Sequence, residues 1–299
     1  MYSRRQLKKM LSETPINISR IHYLSSGDDS DVYLCDQKYV LKIPLRESVK
    51  KIQAREFELY RFLETQNFSF KIPKAIWCGW DFNLMEYLPG SRISNRAYRN
   101  MSEREKNQLA QDEALFLSEL HTLKPEAIPA GLCESPEDKK ATFAGEHIKL
   151  LEVLEKKRLL STRMEQSIHR IYENLFSDSL LFQYSPCLVH NDFSRDNLIF
   201  RQHRLFGVID FGDFGISDPD NVFLCLLDGS DDDFGIAFGL RVLKYYGHPN
   251  QEAARRKAEL YNDYWPIQQI LYGSHRGDRR LFERGFNALM TINPDVFIP

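Results

Sequence analysis

Apolar and polar positions alternate over the first third of the chain and then change to helical spacing. The alternating segments around 20–25, 31–36 and 38–44 predict three strands, joined by Ser25-Ser26-Gly27-Asp28-Asp29 and by Asp36-Gln37. A short amphipathic helix over 3–12 precedes them, and a helix over about 48–66 follows, with Ile52, Leu59 and Leu63 on one face. Residues 75–79 and 82–88 predict two more strands, and Pro89-Gly90 ends that run. Beyond residue 91 helices are expected at about 102–122, 136–159, 162–178, 219–228, 232–246 and 251–272, with short apolar strands only within 187–210. This order predicts an α+β chain of two lobes with a cleft between them. A strand-rich lobe spans 1–90 with a hinge at about 83–91, and a helical lobe spans 91–299.

Composition narrows the classes. Apolar residues at 42% and 20 Phe suffice for a real core, and a net charge of −2 lacks the basic footprint of a nucleic-acid binder. No stretch approaches a membrane span or a secretory leader, and the five widely spaced Cys fit reduced thiols, so a cytoplasmic protein without membrane or nucleic-acid partners is expected. The sequence does not declare an oligomeric interface, and a monomer is the expectation. Charge is uneven: residues 1–74 hold 14 Lys/Arg against 9 Asp/Glu, whereas 205–240 hold eight Asp and no Lys or Arg. A basic front and an acidic back suit an anionic ligand on one side and a cationic one on the other.

The chemistry concentrates in His190-Asn191-Asp192-Phe193-Ser194-Arg195-Asp196-Asn197, followed 18 residues past Asp192 by Asp210 in Val208-Ile209-Asp210-Phe211-Gly212. Phosphoryl transfer needs a carboxylate at the attacking hydroxyl and oxygen ligands that hold Mg²⁺ against the phosphates. Asp192 fits the first role, and Asn197 and Asp210 fit the second. Each fragment alone is weak; both in this order, flanked by apolar strand residues, point to a protein-kinase-like phosphotransferase. Upstream, Lys42 within Val40-Leu41-Lys42-Ile43-Pro44 is a candidate for gripping phosphates, with Glu56 of the 48–66 helix as its partner. Glu56 also fits an ordinary charged helix face beside Arg55 and Glu58. The turn over Ser25–Asp31, with Ser26 and Gly27, is a candidate phosphate cover, although it has one glycine and three Asp. Asn83–Gly90 reads as a hinge strand in which main-chain groups of Glu86 and Leu88 meet a purine and Met85 backs the pocket, or as a plain edge strand.

These motifs resemble the aminoglycoside phosphotransferases, most of all the 2''-phosphotransferases acting on gentamicin-type antibiotics. The similarity spans nearly the whole chain and includes Leu24–Asp31, Cys187–Ser194, Val208–Asp213, Asp218–Asn221, Tyr264-Trp265 and Tyr272-Gly273. It implies Asp192 as catalytic base, Asn197 and Asp210 as magnesium ligands, a Lys42–Glu56 pair and ATP or GTP as donor, with Ile209 and Met85 at the nucleotide. An aminoglycoside is a polycation, which agrees with the acidic stretch. Asp213, Asp220, Asp232 and Asp233 are the candidate carboxylates, with Ser194 as hydrogen-bond partner and Trp265 as a ring platform. For Asp231–Asp233 a helix cap is an equal reading, and for Trp265 burial in the core is the stronger one. Val222 stands where the family pattern expects another Asp. An alternative is another small-molecule kinase, of choline or macrolide type; a choline-type kinase would need an aromatic cage, for which Tyr261, Tyr264, Trp265 and Tyr272 are candidates. A silent nucleotide-binding protein on the same fold would keep the motifs without the transfer.

Overall fold

Period-two alternation over residues 21–44 builds three antiparallel strands, β1 (Ile21–Ser26), β2 (Ser30–Cys35) and β3 (Tyr39–Pro44), behind a short helix α1 (Arg4–Leu11). Helix α2 (Glu47–Leu63) leads to β4 (Ala75–Cys78) and β5 (Asn83–Glu86), giving a five-stranded sheet in the order β1-β2-β3-β5-β4. The computed structural model describes residues 2–27, 29–133, 138–227 and 234–292. On one face of the sheet Leu41, Ile43 and Leu84 pack with Leu7 and Leu11 of α1. Lys42, between Leu41 and Ile43, therefore points to the opposite face, where α2 lies. Asn83, paired beside Lys42, confirms that side by donating from its amide to the Gln53 carbonyl of α2. Because β5 lies between β3 and β4, the edge-strand reading of this segment is excluded.

Helices α3 (Asn95–Arg99), α4 (Glu103–His121), α5 (Lys139–Lys156) and α6 (Thr162–Ser177) follow. Next come four short strands, β6 (Cys187–Val189), β7 (Leu198–Arg201), β8 (Arg204–Val208) and β9 (Gly215–Ser217). Helices α7 (Asn221–Leu227), α8 (Ile236–Tyr246), α9 (Gln251–Arg276) and α10 (Arg279–Thr291) complete the described chain. One core joins α4, the short strands, α7, α8 and the start of α9 with Leu59, Tyr60 and Leu63 of α2. A second core gathers α5, α6, α10 and the rest of α9. The link between sheet and helices is clamped twice: Lys71 bonds the Phe206 carbonyl and the Val208 amide, and Ser91 exchanges two bonds with Phe200. Gly207 is required at the first clamp, since a Cβ would come 2.5 Å from the Lys71 carbonyl.

Most expected elements form within a few residues of their predicted limits; α3, β9 and α10 were not expected. The 251–272 helix continues through Pro266 to Arg276, and Gly277 at φ 69° ends it. Asp278 then caps α10, accepting from the Arg280 and Leu281 amides. The 232–246 helix begins only at Ile236, behind Gly235 at φ 87°. The proposed Asp231–Asp233 cap lies outside the described residues. No helix among the described residues is long and apolar enough to cross a membrane.

Candidate active site

The β7–β8 hairpin brings the two motifs together. Leu198 pairs with Val208, and the Ile209 amide donates to the Asn197 carbonyl at 2.9 Å, so Asn197 and Asp210 project from the same end of the two arms. Two loop residues have left-handed backbones without being glycine, Asn191 at φ 58° and Asp210 at φ 61°. Each is held by its surroundings. The His190 ring, fully buried, donates from Nε2 to the Ile209 carbonyl at 3.0 Å and accepts at Nδ1 from the Asp192 amide at 3.3 Å. That pair fixes its tautomer, and burial pulls the ring down to about 4, so it stays neutral. His190 thus braces one motif against the other.

Around Asp192, Asn197 Nδ2 donates to a carboxylate oxygen at 2.7 Å and to the Asp192 carbonyl at 2.9 Å. Burial raises the Asp192 carboxyl to about 6; Asn197 opposes this, and Asp213 and Asp210 add to it. The Ser194 hydroxyl also bonds this carboxylate. Ser194 is therefore engaged with Asp192. With Asn197 donating from nitrogen, its amide oxygen is the atom left for a cation.

Lys42 Nζ sits 3.0 Å from Glu56 and 2.9 Å from Asp210. Burial alone would lower the Lys42 ammonium, but these two carboxylates outweigh it and raise it above its ordinary value. Lys42 in turn holds the Asp210 carboxyl below the usual range. Glu56, almost wholly buried, is on the inner face of α2, so the charged-face reading fails. Tyr60, one turn on, was missed by sequence reasoning. Its buried hydroxyl accepts from the Asp210 amide at 3.0 Å and the Phe211 amide at 3.4 Å and bonds Glu56. The i, i+4 spacing of Glu56 and Tyr60 on the apolar stripe was the available signal.

The turn after β1 is open above Gly27: a Cβ there would meet nothing within 4 Å. Ser26 ends β1, and the Gly27 amide donates to the Ser30 carbonyl at 3.0 Å. The acidity of this turn is partly answered, since Asp29 forms an ion pair with Arg46. At the hinge Met85 and Leu88 are buried, and the Glu86 amide is taken up by the Lys74 carbonyl at 2.9 Å. Of the Glu86 main chain, only the carbonyl is then offered to a base.

On the acidic side the sequence reading needs three changes. Asp213 lies near Asp192 on a residue open to solvent, and partial desolvation of its carboxyl, with repulsion from Asp210 and Asp29, raises it above its ordinary value. Asp220 is not at a cleft rim: it is buried, with one oxygen 2.7 Å from His248 and the other 2.7 Å from Lys257. Burial pushes its carboxyl up, but those two donors outweigh it and leave it below normal. Asp232 and Asp233 lie outside the described residues. Trp265 is 55% exposed, against the expectation of core burial. Its neighbour Tyr264 is the buried one, packed edge-on to Phe143 and Tyr172, so the supposed aromatic cage of Tyr261, Tyr264, Trp265 and Tyr272 does not assemble. Val222 is fully buried in the main core, so that position faces apolar side chains and a carboxylate there would be desolvated.

Known proteins share this fold. The family model described as the phosphotransferase enzyme family, APH, matches residues 20–261. The gentamicin complex of APH(2'')-IIa is similar to this chain at 48% identity, with 100% of this chain and 99% of that one covered and a TM-score of 0.93. The streptomycin–ATP ternary complex of APH(2'')-IIa gives 48% identity, full coverage of both chains and a TM-score of 0.92. The ADP-bound aminoglycoside phosphotransferase APH(2'')-Ib gives 48% identity, full coverage of both chains and 0.90. With the Lys42–Glu56 pair and the two loop motifs in place on a kinase-like fold, this chain belongs to the aminoglycoside phosphotransferase (APH) family of phosphotransferase enzymes.

Proposed function

We propose that this protein transfers the γ-phosphoryl group of ATP or GTP to the 2'' hydroxyl of an aminoglycoside antibiotic such as gentamicin, and so confers resistance to it. The observation that carries this reading is Asp192: a carboxylate raised to about 6, fixed by Asn197 and Ser194, and 18 residues before the Asp210 that Lys42 grips. The gentamicin and streptomycin complexes of its relatives support the acceptor class. Here the strand-rich lobe, residues 1–90, holds the nucleotide and the helical lobe, 91–299, holds the acceptor.

In this mechanism Lys42, kept charged by Glu56, meets the phosphates, with the Ser26–Gly27 turn above them. Met85, the Glu86 carbonyl, Leu88 and Ile209 enclose the base side. The acceptor hydroxyl lies against Asp192. As its oxygen bonds the γ-phosphorus, the bond to the β-phosphate oxygen breaks, the nucleoside diphosphate leaves and the hydroxyl proton passes to Asp192. A base whose own value lies near working pH takes that proton with little loss. No phosphoenzyme forms. Asp213 attracts an ammonium group of the acceptor, as would Asp232, Asp233 and the exposed Trp265 ring at its margin.

Mg²⁺ fits the residues present. The Asn197 amide oxygen and the Asp210 carboxylate offer two oxygen donors from adjacent strand ends, and no group of three or more His, Cys, Asp or Glu among the described residues forms a cage of its own. Two protein oxygens completed by phosphates and water are what Mg²⁺ prefers. When bound it neutralises charge on the transferring phosphate.

The test is to incubate the protein with gentamicin or kanamycin and each nucleotide, and to locate the new phosphate by NMR. Phosphate on the 2'' oxygen supports the assignment; no transfer with either nucleotide, or near wild-type turnover in Asp192→Ala, overturns it.

A further inference from the structure

Behind the catalytic loop lies a buried, charge-matched network that the phosphate chemistry does not use. Lys139, the first residue of α5, and Lys257 of α9 both reach one oxygen of Asp218, at 2.9 and 2.8 Å. Lys257 also meets Asp220 at 2.7 Å, and the Asp220 and Asn221 amides close a turn onto Asp218. His248 accepts at Nδ1 from the Asn250 amide, so its Nε2 carries the hydrogen that goes to Asp220. Two lysine ammonium groups thus face two carboxylates. Lys139, Lys257, Asp218 and Asp220 are each no more than 5% exposed. Such a set is costly to desolvate and adds little stability over apolar residues of similar size, so its presence beside an active loop points to geometric control.

The network has one outlet toward the chemistry. Lys139 Nζ donates to the Asn221 side-chain oxygen at 3.1 Å, which leaves the Asn221 nitrogen to face the loop. That nitrogen donates to Ser217 Oγ at 3.1 Å and to the Asn191 side-chain oxygen at 3.4 Å. Asn191 Nδ2 donates to the Asp213 carbonyl at 3.0 Å. Every amide orientation along this path is dictated by the ammonium group at its start. Its end is the left-handed residue immediately before Asp192, tied to Asp213 opposite. We propose that Asn221, oriented by Lys139, is a positioning residue that sets the catalytic loop through Asn191.

A strained left-handed asparagine persists when its surroundings hold it. Here the holding bonds come from α7 and, through Lys139, from α5, so the proposal also ties the helical core to the angle at which Asp192 is presented. It rests on the phosphotransfer reading above. The test compares kcat and KM for both substrates in the wild type, Asn221→Asp, Asn191→Gly and the double variant, using gentamicin as acceptor. Asn221→Asp keeps an acceptor for Lys139 but turns an oxygen toward Asn191, ending the donation to Asn191 and to Ser217 and adding a carboxylate beside the Lys139 ammonium. Asn191→Gly suits the positive φ and removes the other end.

The expected result for Asn221→Asp is a Tm within about 2 °C of wild type. Its nucleotide KM stays within about twofold, while kcat falls about tenfold as the base leaves its near-attack geometry. Asn191→Gly loses a similar factor, and the double variant loses no more than the worse single one, because both cut the same path. Merely structural damage would instead give losses that multiply. Turnover of Asn221→Asp within about twofold of wild type, or multiplying losses, overturns the proposal. Should Asn221→Asp lower Tm, Asn191→Gly decides alone, and an undiminished kcat there is fatal to the idea. If the wild type itself transfers nothing to gentamicin, the functional reading fails instead, which that control reveals.

Discussion

Replacing Tyr60 with Phe removes one oxygen atom and leaves the ring, fully buried and edge-on to Phe211 at 5.7 Å, in place. That oxygen holds three groups: the Asp210 amide at 3.0 Å, the Phe211 amide at 3.4 Å and the Glu56 carboxylate. The longer amide bond contributes the least of the three. The shorter one is worth about 1 kcal/mol, and losing a donor to a buried carboxylate about 2 kcal/mol, for a total near 3 kcal/mol. In a chain of this size that corresponds to a fall in Tm of roughly 5 °C. Asp210 also loses the anchor that helps hold its left-handed backbone, so kcat falls about tenfold. Differential scanning calorimetry and steady-state transfer assays on Tyr60→Phe measure both. If Tm stays within about 2 °C and turnover is unchanged, Tyr60 is only core packing and the bracing argument is wrong.

On the proposed mechanism, transfer depends on pH through Asp192. Its carboxyl lies above its ordinary value, at about 6, and only the ionised form accepts a proton, so kcat/KM is flat above that value and drops tenfold per unit below it. A limb centred on the ordinary carboxylate value, near 4, would contradict the burial argument. Lys42→Met leaves Glu56 buried without its cation and exposes the phosphates to uncompensated charge; kcat is expected to fall about 10²–10³-fold. Stability should drop by about 3–5 kcal/mol in urea titration of the same variant. Lys257→Met removes one cation from the pair shared by Asp218 and Asp220, and an unfolding midpoint equal to wild type would show that those carboxylates find other partners.

Several readings were legible from letters and spacing. The histidine–aspartate loop, the asparagine five residues on and the second aspartate 18 residues later are held by short local structures, so their order along the chain carries their chemistry. Period-two alternation placed Lys42 opposite Leu41 and Ile43, and the α2 stripe turned Glu56 inward for the same reason. What a polar residue meets inside a folded chain is a different matter. Asp220 looked like one of a row of acceptor-binding carboxylates, but Lys257 and His248, distant in sequence, fold onto it and neutralise it. Ser194 turned back to Asp192, and Trp265 came out to solvent while Tyr264 took the core position beside it.

The sequence by itself determined the two-part order of elements, the phosphotransferase class and the residues proposed for its centre. Local spacing decides which face a side chain takes on its own strand or helix, and these motifs are local. The tertiary structure alone decided the rest: which carboxylates stay free for a cation, the role of the Tyr60 hydroxyl, and the path from Lys139 through Asn221 to the catalytic loop. Those outcomes depend on desolvation and on partners brought from distant segments, and neither is written in the spacing of neighbouring residues.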